Sequence, residues 1–103
     1  MSYAGGRPTL DADSHLMELP GFLDPFIEES MRPRLLTKAL DRVAPVLDAA
    51  AEAAARRGSD PAEREAAEQR LLLDKGWSAM GAFDPAERSH VVDLLGVDGQ
   101  LVF

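Results

Sequence analysis

Cysteine is absent from the 103 residues, so neither a disulfide framework nor a thiolate metal site can be built. Aromatic residues supply only 6%, and much of the 46% hydrophobic content is alanine, which points to a thin, helix-rich core. Positive charge is scarce and unclustered: 11 Lys and Arg stand against 18 Asp and Glu, a formal net charge of −7. A surface of that sign repels phosphate backbones and anionic headgroups, which argues against nucleic-acid and membrane partners. No apolar run approaches the length needed to cross a bilayer. The opening Met1-Ser2-Tyr3-Ala4-Gly5-Gly6-Arg7 has no hydrophobic block of the kind a signal peptide carries. The expected location is cytoplasmic, and the length is that of one small domain.

Residues 1–9 are rich in Gly and Pro and read as a loose tail. In residues 10–16, Leu10, Ala12, Ser14 and Leu16 alternate with Asp11, Asp13 and His15, the period-2 pattern of a strand. Pro20 and Gly21 punctuate its exit. Residues 20–34 then form a short helix and turn, with a helix expected over 22–31 that carries Phe22, Phe26 and Ile27 on one side and is ended by Pro33. Residues 35–75 read as a helical stretch. Leu36, Leu40, Val43 and Leu47 recur at helical spacing, and Pro45 splits or kinks the run because it lacks a backbone donor. The Ala-rich segment 48–57 favours helix but offers little to a core, and Gly58 is expected to cap it.

The pentapeptide Asp-Pro-Ala-Glu-Arg occurs twice, at 60–64 and 84–88. An Asp suited to the N-cap, a Pro at the first helical position and a Glu three residues after the Asp make a capping box, so helices are expected over 61–74 and 85–95. Gly96 closes the second. Trp77 and Phe83, in the small-residue loop between the helices, either anchor that loop or line a pocket. After Gly96 a short apolar run, Leu101-Val102-Phe103, reads as a strand over 99–103 buried on both faces. The chain is therefore mostly α-helical with two short strands, near 10–16 and 99–103. Residues so apolar need a cover that one other strand cannot supply, so the sequence is expected to be part of a larger fold.

Asp13 and His15, two apart on a strand, project from one face and can place a carboxylate oxygen and an imidazole nitrogen on one metal ion. By itself such a pair is more often a turn-forming Asp beside a solvated His. His90, on the helix over 85–95, reads as a helix-surface residue.

The run Asp11-Ala12-Asp13-Ser14-His15-Leu16-Met17-Glu18-Leu19-Pro20 resembles the opening strand of the amidohydrolase-related family, the branch that includes aromatic-acid and aminocarboxymuconate-semialdehyde decarboxylases. That family's first strand carries two metal-ligand positions spaced H-x-H, and a sub-branch has an acidic residue first. The stretch from Gly76-Trp77 through Ala82-Phe83-Asp84-Pro85 and Arg88 to Leu94-Leu95-Gly96-Val97-Asp98 is similar to the family's passage through its first barrel helix into its second strand. The matches cover residues 9–34 and 76–103, and leave 35–75 as an insertion. The resemblance implies an α/β fold, the first part of a (β/α)8 barrel, whose sites lie at the carboxyl ends of the strands. It implies a metal-dependent hydrolase or decarboxylase, with zinc or manganese as the divalent metal and Asp13 and His15 as two of its ligands. Glu18 either stands at the mouth of the site as a partner for His15 or is a solvated carboxylate, and Asp11 is expected to shape the strand's start. The family's later-strand histidines and aspartate have no counterpart in these residues, so the isolated chain is expected to be inactive as an enzyme. The alternative is a stand-alone acidic helical module for protein interaction or self-association. Either way, uncovered strands and apolar faces favour a homo-oligomer.

Overall fold

The computed structural model describes residues 5–34 and 42–103, so the expected apolar positions Leu36 and Leu40 lie outside the described residues. Strand β1 spans Leu10–Ser14 and strand β2 spans Gly99–Val102, and the two lie side by side in parallel. Between them come helices α1 (Ala44–Ser59), α2 (Pro61–Gln69) and α3 (Pro85–Leu95), with short 3-10 segments at Glu29–Arg34 and Gly76–Ser78. The outcome is a small mixed α/β chain, with the strands close to where their patterns put them.

Residues 5–9 are less loose than their composition suggests. The Thr9 amide donates to Asp98 Oδ2 at 2.7 Å, and the Asp98 amide donates back to the Thr9 carbonyl at 2.8 Å. This clasp starts the parallel ladder just before both strands.

Residues 22–31 do not form the expected α-helix. They run as successive turns, with the Phe22, Asp24 and Phe26 amides donating to the carbonyls of Leu19, Gly21 and Leu23. Pro25 explains the difference: it contributes no amide and pushes Asp24 out of helical conformation. The regular segment comes later, and Pro33 sits inside it rather than ending it. Phe22, Leu23, Phe26 and Met31 are all exposed.

Helix α1 begins at Ala44, and Pro45 occupies its first turn, where the missing donor costs nothing. Its buried stripe is Leu47, Ala50, Ala54 and Arg57, spaced to share one face. Gly58 does not cap α1, which continues to Ser59. Asp60 ends it instead, because Pro61 holds its predecessor extended, at φ −118° and ψ 111°. The same Asp60 then caps α2 by accepting from the Ala62 amide at 2.9 Å. α2 ends at Gln69 rather than at 74, and residues 70–73 continue as turns.

Helix α3 follows its expected bounds. Asp84 accepts from the Ala86 and Glu87 amides, and Gly96 terminates the helix in the left-handed region at φ +67°. Neither capping box is completed by its Glu. The Asp60 amide is already committed to the Arg56 carbonyl as the last bond of α1, so Glu63 has no donor to reach. Glu87 is drawn elsewhere, as described below.

The core is thin, as the composition implied: Leu47, Ala50, Ala54, Met80, Ala82 and Val91. Among the described residues, Leu47 is the one larger side chain that is fully enclosed. The strand pair is far from covered. Leu10 is 79% exposed, Leu101 58% and Phe103 69%, so β2 is not the doubly buried strand that its apolar run suggested.

Candidate functional site

The chemistry-bearing pair sits where β1 ends. Asp13 lies in the strand and His15 is the first residue beyond it. His15 Nε2 stands 3.3 Å from Asp13 Oδ1, and the side chains are 68% and 90% exposed. The structure thus brings the two residues together. The Phe103 ring, just past β2, leans over His15 with centroids 6.2 Å apart and planes tilted by 42°. The imidazole therefore has one apolar flank and one carboxylate flank, and is otherwise open to solvent.

The strand that presents them is not regular. Leu10 pairs with Gly99 and Asp11 with Gln100, but the next partner of β2, Val102, pairs with Ser14, so β1 carries an extra residue. This is a β-bulge, a feature common beside functional sites because it re-aims side chains. Its cause is local. One Asp11 carboxylate oxygen accepts from the Asp13 amide at 3.0 Å, and the other accepts from the Ser14 hydroxyl. An Asp bonded to the backbone two residues ahead is an Asx turn, which draws the chain out of the flat ladder. Beyond the bulge the ladder resumes. The Phe103 amide donates to the Ser14 carbonyl at 2.9 Å, and the Leu16 amide to the Phe103 carbonyl at 3.2 Å.

Asp11 is also tied to the rest of the fold. Gln100 Nε2 donates to it at 3.1 Å, and Gln100 Oε1 accepts from Arg88 Nε on α3 at 2.9 Å. Arg88 also donates to the Gly81 carbonyl at 3.2 Å. The Ser14 hydroxyl first, then the Asp13 amide, hold the Asp11 carboxyl below its ordinary 3.8. With the folded value below the unfolded one, the ionised form is the one folding favours. That stabilisation is present above 3.8 and is lost as pH falls through the folded value.

The turn at Gly81 holds the site against the helices. Glu87 Oε2 accepts the Gly81 amide at 3.0 Å, while the same carboxylate takes two bonds from Arg57, at 2.6 and 2.9 Å. The Arg57 and Glu87 side chains are only 7% and 10% exposed. The facing carboxylate raises the Arg57 pKa further. The next residue, Ala82, accepts from the Met17 amide at 2.7 Å and so fixes the exit from β1.

The remaining sequence candidates fall out as follows. Glu18 makes no bond to His15. Its side chain is exposed, and its carbonyl accepts the Trp77 indole N–H at 3.2 Å. Trp77 is thereby an anchor for its loop. His90 is not simply solvated, since its Nε2 lies 2.7 Å from Glu68 Oε1 and links α3 to α2. No group of three or more His, Cys, Asp or Glu that could hold a metal ion exists among the described residues. No described helix is long and apolar enough to cross a membrane. No protein-family model, curated protein or solved structure matches the chain.

The donor chemistry of Asp13 and His15 suits a divalent ion. With metal–ligand bonds of about 2.0–2.2 Å in a tetrahedral arrangement, two ligands lie roughly 3.4 Å apart. The observed 3.3 Å matches that edge, although it also matches a plain imidazole–carboxylate contact. The pair fits a metal ion as two of its ligands and does not enclose one.

Proposed function

We propose that the chain forms the first strand–helix–strand portion of a metal-dependent amidohydrolase-like fold, and that Asp13 and His15 supply two ligands to its divalent metal. The observation that carries this reading is the side-by-side placement of Asp13 and His15 at the carboxyl end of a strand with a parallel neighbour. In parallel α/β architectures, binding residues gather at that end. The resemblance of residues 9–34 and 76–103 to the amidohydrolase-related family supports it. A bound zinc or manganese would polarise a substrate oxygen or lower the pKa of a bound water. Asp13 and His15 would hold and orient that ion in hydrolysis or decarboxylation of a small organic substrate. The ring of Phe103 would restrict water on one side of the imidazole.

Calorimetric zinc titration tests the proposal. The wild-type chain is expected to bind zinc weakly, because only two of the usual three protein ligands of a catalytic site are present. His15→Ala is expected to abolish that binding, and Asp13→Asn to weaken it about tenfold or more. Zinc uptake that is unchanged in His15→Ala would count against the reading.

The second reading, self-association, is favoured by the exposed apolar surface. Leu10, Leu101 and Phe103 on the strand pair, and Phe22 and Phe26 in the turns beyond it, are all exposed apolar side chains. The outer face of the strand pair, with Leu10, Leu101 and Phe103, is the apolar surface that a second copy would cover. Because each copy carries −7, the assembly should tighten as added salt screens the repulsion. Sedimentation equilibrium at low and high salt measures this, and a monomer at both would refute it.

A further inference from the structure

We propose that Asp11 is the positioning residue of the Asp13/His15 pair: by fixing the bulge in β1 it sets the face of the strand pair on which the two side chains stand, beside Phe103. As far as it concerns metal, the inference rests on the reading above. Its structural half stands on the strand geometry alone.

In a regular parallel ladder Asp11 and Ser14 would face opposite sides of the sheet, three residues apart. Here the Ser14 hydroxyl reaches the Asp11 carboxylate, and the residues face Gln100 and Val102, which lie on one face of β2. The two residues between them, Ala12 and Asp13, absorb the extra length. Both are exposed, so no packing holds them there. Hydrogen bonds must do so, and the Asp13 amide donates to Asp11 Oδ1 at 3.0 Å. The carboxylate therefore occupies the inside of the bulge, with bonds to the backbone ahead, to Ser14 and across to Gln100. Arg88 locks Gln100 in turn, from a helix that also grips the Gly81 turn.

Without Asp11, Ala12 and Asp13 lose the only side-chain acceptor that sustains the bulge. A strand free to flatten slips by one residue, and a one-residue slip sends the side chains on one side of the break to the opposite face. Asp13 and His15, two apart, would still share a face, but the pair would be carried to the other side of the strands, away from Phe103. Asp11 touches neither a metal nor a substrate in this scheme. It acts through the backbone of Asp13.

The test compares Asp11→Ala, Asp11→Asn and Asp60→Ala with the wild-type full chain. Asp60→Ala serves as a control that removes a helix cap of ordinary value, remote from β1. The metal-free readout is the nuclear magnetic resonance spectrum: protection of the Phe103 and Leu16 amides from exchange, and the cross-relaxation contact between the His15 and Phe103 rings. Asp11→Ala should lose both, Asp11→Asn should keep them in part because it retains one acceptor oxygen, and Asp60→Ala should leave them unchanged. The second readout is zinc affinity by calorimetry, which should fall roughly 10- to 100-fold in Asp11→Ala, the range typical of removing a group that orients a ligand, and not in Asp60→Ala. If the wild type binds no zinc, the metal reading fails while the metal-free spectra still decide the positioning role. Intact ring contact and amide protection in a folded Asp11→Ala would overturn it. Should Asp11→Ala fail to fold, Gln100→Ala, which cuts the cross-strand arm together with its bond from Arg88, replaces it. Partial loss of the ring contact is then expected, and an unchanged contact overturns the proposal.

Discussion

Gly81→Ala is expected to destabilise the chain by about 3 kcal/mol, combining the cost of a left-handed residue with a Cβ and that of overpacking. Gly81 has φ +78°, and an added Cβ would lie 3.1 Å from the Arg88 Cα and 3.1 Å from Val91 Cγ2. The first of these neighbours is helix backbone and cannot rotate away. The turn is also clamped on both sides, its amide by Glu87 and its carbonyl by Arg88, so it cannot shift without breaking bonds on α3. A domain of this length has a net stability on the order of 5–15 kcal/mol, so such a loss is a large share of the total. Urea unfolding followed by far-ultraviolet circular dichroism measures it, and a midpoint equal to that of the wild type would show that the turn tolerates a side chain.

Removing one member of the Arg57–Glu87 pair is expected to cost about as much. Glu87→Ala leaves the Arg57 guanidinium inside the protein without its anion and the Gly81 amide without an acceptor, at a cost of about 3–5 kcal/mol for the uncompensated charge. Arg57→Ala strands the carboxylate in the same way. The double variant should lose less than the two single losses added together, with a coupling of about 1.5–3 kcal/mol, because neither charge is then left alone. The Arg70–Asp74 pair, four residues apart on the surface, offers the contrast: solvent screens it, so breaking it should leave the urea midpoint nearly unchanged. A double-mutant cycle in urea reads all of these. Additive losses for Arg57 and Glu87 would mean that the bidentate contact does not hold α1 to α3.

The two identical pentapeptides show what the sequence could and could not reveal. Both Asp caps were legible because they depend on the next few residues alone, and both form. The role of each Glu was not legible. Glu87 is claimed by Arg57, thirty residues earlier and carried on a different helix, while Glu63 finds its capping donor already taken by α1. Arg57 itself lies in an Ala-rich segment that read as offering little to a core, and only folding shows it turned inward. Both strands were legible from the alternation and the closing apolar run, and the Gly96 stop from its position after the helix.

The candidate site was legible in part for the same reason. The spacing of Asp13 and His15 predicts one face, and they do meet. The bulge that presents them depends on Asp11 recognising both Ser14, three residues ahead, and Gln100, eighty-nine residues away. No local pattern encodes the second of these. The expected short helix over 22–31 failed on a signal that was present, Pro25, which apolar periodicity alone overrides too easily. Trp77 followed the commoner role of a loop aromatic, its indole N–H finding the Glu18 carbonyl.

The central claim is that the exposed ends of Asp13 and His15 converge on one divalent ion. Titration with manganese, whose unpaired electrons broaden resonances of nearby nuclei, tests it residue by residue in the assigned proton–nitrogen spectrum. The account predicts that the earliest broadening falls on Asp13, Ser14, His15 and Phe103, and that it disappears in His15→Ala. Broadening that instead begins on the acidic helix surfaces, around Glu63 and Glu65, and leaves the end of β1 sharp would contradict it.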